Sequence, residues 1–128
     1  MSDFEIKNLK ELDDSLADRD VDLEARFGRN QLGSEHLGVS YFRYGPEQRS
    51  LAGHRHRLQE EAYVVISGSG RAKLDDEIVP LHQWDVLRVA PPVVRSFEAG
   101  PDGLEVIAVG SDRPEGGDGE MVEVHWSD

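Results

Sequence analysis

The sequence predicts an all-β protein, a single barrel or sandwich, on three observations. Strand-length apolar or alternating runs recur from residue 39 to residue 110. The breaks between them hold turn formers: Gly68-Ser69-Gly70, Asp75-Asp76, Pro91-Pro92 and Gly100-Pro101-Asp102-Gly103. No helical interlude separates the runs, so the strands must pack on one another and not beneath helices.

Taken in order, residues 1–22 are polar and acidic, with Leu9, Leu12 and Leu16 spaced as one narrow helical stripe, and predict a short helix or a loose arm. The first strands are Leu23–Phe27 and Leu37–Tyr44, where Val39, Tyr41 and Arg43 alternate with Ser40, Phe42 and Tyr44. A meander follows over Leu51–His56, Ala62–Ser67, Arg71–Leu74, Ile78–Leu81, Asp85–Ala90, Val94–Ala99 and Leu104–Gly110. Pro114–Gly119 reads as a Gly-rich linker. Beyond it Val122, Val124 and Trp126 alternate with Glu123 and His125, which predicts a last strand or clamp with the Trp buried. The 128 residues suffice for one domain. It divides into an arm and first strand over 1–38, a barrel core over 39–110, and a loop with a C-terminal strand over 111–128.

Charge and composition exclude whole classes of function. A formal net charge of −12 repels nucleic acid and anionic membrane alike. The absence of cysteine rules out disulfides, thiolate metal sites and a Cys nucleophile, leaving His and carboxylates as the ligands available. With no signal-like N-terminus and no membrane-length apolar run, the expectation is a soluble cytoplasmic protein. No Gly-x-Ser-x-Gly elbow is present, and the glycines at 68 and 70 lie between strands, where they cannot cradle a phosphate.

Chemistry concentrates in His54-Arg55-His56 and the carboxylates that follow. Two histidines at i and i+2 project from one face of a strand and form a chelating pair. A turn at residues 58–60 would return Glu61 to that face, giving a mixed N/O site suited to Zn, Fe, Ni or Mn. Tyr63 and Val65 share the parity of Glu61, and Phe97 that of Arg95. Val65 and Phe97 read as core, whereas Tyr63 is either core or a ligand-binding residue. His36, His82 and His125 fall outside the pattern and read as surface residues.

The stretch from His54 to Gly68, H-x-H-x4-E-x6-G, resembles the first motif of the cupins, small β-barrels that often hold a divalent metal. Of the adjacent Glu60 and Glu61, only Glu61 has the motif's spacing to Gly68. The Gly that usually opens the motif is replaced by Gln48. The second motif, G-x5-P-x-G-x2-H, falls on residues 84–95 with Trp84, Ala90, Pro92 and Arg95 in place of its Gly, Pro, Gly and His. The resemblance spans residues 39–109 and implies a jelly-roll barrel, a divalent metal on His54, His56 and Glu61, and a homodimer. If the protein is an enzyme, the resemblance implies dioxygenase, isomerase or lyase chemistry.

Arg95 stands where the resemblance would put a fourth ligand. At about 5 Å from a divalent ion and an effective dielectric near 20, its repulsion would cost about 6–7 kcal/mol. Arg95 can swing toward the mouth, be bridged to the metal by an anionic ligand, or pair with Glu61 and take the metal's place. The sequence therefore supports a metal-binding protein whose small anionic organic ligand is oriented by Arg95 and Tyr63. The alternatives are a metal-free binding or sensing protein with a Glu61–Arg95 ion pair, and a purely structural partner domain.

Overall fold

The computed structural model describes residues 3–126. Eight strands form one curled antiparallel sheet: β1 Leu23–Phe27, β2 Gly38–Tyr44, β3 Gly53–His56, β4 Glu61–Leu74, β5 Glu77–Leu81, β6 Val86–Val89, β7 Arg95–Gly110 and β8 Gly119–Val122. A four-residue helix, α1 (Arg29–Leu32), connects β1 to β2. The N-terminal segment is an arm with one 3-10 turn at Leu9–Glu11, tied down where Asp14 bridges Arg26. Asp14 Oδ1 accepts from the N–H of Ala25 at 3.0 Å, which binds the arm to the outer edge of β1.

The two long strands explain how the sheet closes. The first part of β4 pairs with β6 on one side and with residues 104–110 of β7 on the other. Its second part pairs with β5 and with residues 95–99 of β7. Strand β7 in turn carries β2 along residues 104–110 and β3 at Arg95. One antiparallel pair thus serves both halves of the barrel.

Two expected breaks are continuous strand. Ala62–Ser67 and Arg71–Leu74 merge into β4, and Val94–Ala99 and Leu104–Gly110 merge into β7. The turn formers act as bulges: residues 100–103 of β7 stand opposite Ser69 alone, and the register resumes beyond them. Gly68, with φ of 75°, makes this close approach feasible, because a Cβ there would come within 2.0 Å of the Gly103 carbonyl oxygen. The last strand also begins earlier than its apolar alternation suggests. Trp126 lies beyond β8, half-buried, with the guanidinium groups of Arg49 and Arg71 at 5.1 and 5.2 Å from its ring.

Inward residues alternate along the strands as a half-buried sheet requires. Tyr63 and Val65 of β4 meet Phe97, Ala99, Leu104 and Val106 of β7 in a continuous core. Val65, Leu104 and Val106 are at most 1% exposed, and burial of each such side chain stabilises the fold by about 1.5–3 kcal/mol. Outward residues pair by charge: Glu24 accepts from Arg26 along β1 and from Arg43 across on β2, and Arg71 of β4 donates to Glu98 of β7 at 2.8 Å.

Candidate metal centre

Strand β3 presents His54 and His56 on its inner face, while Arg55 between them turns outward to a bidentate pair with Glu120. Glu61, the first residue of β4, returns beside them. The Leu58 and Gln59 N–H groups donate to Asp118 Oδ2 at 2.7 and 2.9 Å, which shapes the intervening turn. Glu60 faces out, paired to Arg88 at 2.8 Å. The motif's spacing therefore selects the carboxylate that the fold also selects.

Glu61 Oε1 lies 3.3 Å from both His54 Nε2 and His56 Nε2, and the three candidate ligand atoms all fall within 4.8 Å of one another. Ligand atoms about 2.1 Å from a common ion are separated by about 3.0 Å in octahedral and 3.4 Å in tetrahedral geometry. The two histidine–carboxylate spacings match that interval.

His56 supplies the most specific test of fit. Its Nδ1 is 3.0 Å from Asp118 Oδ1, and Asp118 has no exposed side-chain surface. Donation from Nδ1–H to that carboxylate leaves Nε2 with its lone pair facing the site. His56 Nε2 is buried without a hydrogen-bond partner. A buried acceptor left in that state is costly, and a metal ion satisfies it.

Arg95 is fully buried, and each of its three guanidinium nitrogens donates. Nη1 donates to Glu61 Oε1 at 2.8 Å; Nη2 donates to the carbonyls of Ala90, Pro91 and Val93 at 2.8, 3.1 and 2.9 Å; and Nε donates to Val93 at 3.1 Å. The turn over residues 90–93 is a carbonyl cage for a guanidinium. Tyr63, 2% exposed, donates to the same Glu61 oxygen at 2.5 Å, with His54 Nε2 at 3.4 Å from its hydroxyl. Those two donors use both lone pairs of Oε1, so a metal on Glu61 requires Oε2 or the shift of one donor.

The electrostatics follow from these contacts. Burial pushes the Glu61 carboxyl upward, but the adjoining His54 and His56 imidazoles and the hydrogen bond from Tyr63 outweigh it and hold the group below the usual carboxylate range. Glu61 beside His56 raises the imidazole's pKa against the effect of burial. Asp118 would be raised by burial, yet the Leu58 and Gln59 N–H groups and His56 hold it low. Burial, and then Glu61, push Tyr63 well above its ordinary value.

His54, His56, Glu61 and Tyr63 line one end of a cavity of about 490 Å³, whose walls are largely apolar. Four of the five sequence candidates therefore line one cavity. Arg95 is absent from the cavity lining, and its guanidinium holds Glu61. Sequence reasoning missed Asp118, in the loop read as plain linker, where it holds both His56 and the turn before Glu61. A lone carboxylate among Gly116, Gly117 and Gly119 was the available signal.

No protein-family model matches the sequence, and no curated protein matches it. Solved structures do. A cupin protein from Bacteroides fragilis superposes with a TM-score of 0.72 at 20% identity, over 88% of this chain and 86% of that one. The polyketide cyclase RemF from Streptomyces resistomycificus gives 0.73 at 16% identity, over 97% and 87%. A single-substitution variant of oxalate decarboxylase from B. subtilis gives 0.75 at 21% identity, over 92% of this chain and 33% of that one. At these identities the likeness establishes the fold, and the chain is a cupin by fold, a double-stranded β-helix with a potential metal site on His54, His56 and Glu61.

Proposed function

We propose that this protein binds a divalent metal through His54, His56 and Glu61 and holds a small organic molecule against it in the barrel. The observation that carries the reading is His56, with Nδ1 tied to Asp118 and Nε2 buried and unpartnered toward Glu61. Two imidazoles and a carboxylate are borderline ligands that suit Zn, Fe, Ni or Mn. When bound, the metal would supply a Lewis acid with coordination positions open to a ligand oxygen.

The chain's own residues have separable parts in this reading. Asp118 keeps the His56 lone pair on Nε2 and aims the ring. Arg95 neutralises Glu61 and positions it. Tyr63 offers a hydroxyl proton beside Glu61, and the apolar wall limits water around a bound molecule. Dioxygenase, isomerase and lyase chemistry all draw on such a site, and solved structures of this fold are described as sugar phosphate isomerase, oxalate decarboxylase and polyketide cyclase. One barrel hosts many reactions, so the reaction rests on the site and its ligand.

A second reading is favoured by one specific observation, the caged Arg95. In it the guanidinium replaces the metal, and the barrel is a metal-free binding or sensing module. Elemental analysis of protein purified without an affinity metal decides between them. The first reading expects close to one metal per chain, lost in His54→Ala; a metal-free wild type that also fails to take up added metal supports the second.

The same reading places the protein in the cytoplasm, consistent with its lack of cysteine, and as a homodimer. Trp84 and Val86, 70% and 65% exposed beside one another, offer an apolar surface for pairing. Solution mass tests the dimer. Among the described residues no helix is long and apolar enough to cross a membrane.

A further inference from the structure

The walls above the metal centre restrict the chemistry of what enters. The cavity of about 490 Å³ is lined by Leu16, Leu23, Phe27, Phe42, Tyr44 and Phe97, and it ends at His54, His56, Glu61 and Tyr63. The size is that of an ordinary small-molecule site. Phe27 meets Phe42 edge to face at 5.6 Å between ring centroids, and Tyr44 lies 6.2 Å from Phe97, so the walls are aromatic and mutually braced.

Polar groups along those walls are largely engaged. Ser50 Oγ contacts Tyr44 Oη at 3.2 Å and accepts from the Phe97 N–H at 3.0 Å, and the Ser15 hydroxyl donates to the Ala25 carbonyl at 3.1 Å. The cations are held at the cavity's edge by neutral acceptors or withdrawn from it. Arg95 has no exposed surface; Arg29 donates to Gln59 Oε1 at 3.0 Å and to the Ser111 carbonyl at 2.6 Å; and Arg113 donates to Asn30 at 3.3 Å. A small polar anion such as phosphate would lose its hydration against the aromatic wall formed by Phe42, Tyr44 and Phe97 and gain no contact from it.

We infer that the ligand of this barrel is a ring-containing, largely apolar molecule that packs on Phe42, Tyr44 and Phe97 and presents an oxygen to the His54, His56 and Glu61 end. The inference rests on the metal-site reading only for that last contact, since the apolar wall stands without it. In it the apolar body of the ligand, and not an anionic group held by Arg95, carries the affinity.

Calorimetric titration of the full-length protein with 2-naphthol, malonate and inorganic phosphate tests the inference, with metal content measured on the same samples. The expected result is 2-naphthol binding at least tenfold tighter than either anion, with a negative heat-capacity change. Ser40→Trp, which fills the cavity from half-buried β2, should weaken 2-naphthol at least tenfold without changing metal content. Phe42→Asn provides a second variant should the first fail to fold. Tighter binding of malonate or phosphate, or 2-naphthol binding untouched by the folded variants, would overturn the inference. Metal-free protein that still binds 2-naphthol in this way refutes the metal centre and leaves the apolar ligand standing, whereas metal-loaded protein that prefers an anion does the reverse.

Discussion

Asp118 reaches across 62 residues of sequence to His56 and holds its Nδ1 at 3.0 Å, so a carboxylate in a Gly-rich loop sets the orientation of a candidate metal ligand. The same carboxylate ties down the turn that delivers Glu61. One buried side chain therefore aligns two of the three ligands.

Replacing it should loosen both. Asp118→Ala is expected to lower metal affinity about 10–100-fold, the usual cost of losing such a supporting partner. Competitive chelator titration measures the change. An affinity equal to wild type in the folded variant would show that His56 needs no help in aiming its ring.

Arg95→Ala leaves Glu61 and the carbonyls of Ala90, Pro91 and Val93 without their buried donor. Breaking a buried pair by removing one partner typically costs about 3–5 kcal/mol. Denaturant unfolding should show a loss of that order. Arg95→His removes the nearby cation, offers a third imidazole as a fourth ligand, and should raise metal affinity over wild type. Unchanged stability in Arg95→Ala would mean that the cage is dispensable.

Acid and base should act on the metal-free protein in opposite senses. Glu61 and Asp118, held below their ordinary values of 4.5 and 3.8, contribute stability that is present above those values and lost as pH falls through the lower folded ones. His56, raised above 6.5, contributes stability that is complete below that value and lost as pH rises through its folded pKa. Metal-free protein should be most stable between about pH 4.5 and 6.5. Protons compete with metal for His56, so the increment in melting temperature from added metal should grow above pH 6.5. A metal increment that grew toward acid would contradict neutral His56 as a ligand.

The C-terminal segment should matter for stability. Residues 120–122 pair with β3, the strand bearing both histidines, and Trp126 stacks between Arg49 and Arg71. Trp126→Ala should cost about 1–2 kcal/mol if each of two partly desolvated cation–π contacts contributes about 0.5–1. Deleting residues 120–128 should destabilise further and lower metal affinity. Melting and metal titration on both variants check the order of these effects.

The parts of the site legible in the sequence are those written in short-range periodicity. His54, His56 and Glu61 are separated by one strand period and one turn, so alternation alone brings them together. The destination of Arg95 was not readable in the same way, because it depends on backbone carbonyls whose direction is decided by the turn at residues 90–93. Asp118 depends on a pairing of β3 with β8 that no local pattern announces. The strand count was misread at Gly68 and residues 100–103 because residues that end a strand also make bulges, and only the facing strand decides between the two.

Pairing of residues 38–44 with residues 104–110 places the two sides of one ladder at opposite ends of the barrel sequence. On the ribosome, β2 must wait for nearly the whole chain before its partner emerges. His54, His56 and Glu61 are synthesised long before Arg95 can neutralise the carboxylate or Asp118 can orient the imidazole. The nascent chain therefore carries its candidate metal ligands on a segment whose partners have yet to be made. Their selectivity arrives only with the slow, non-local closure of the sheet.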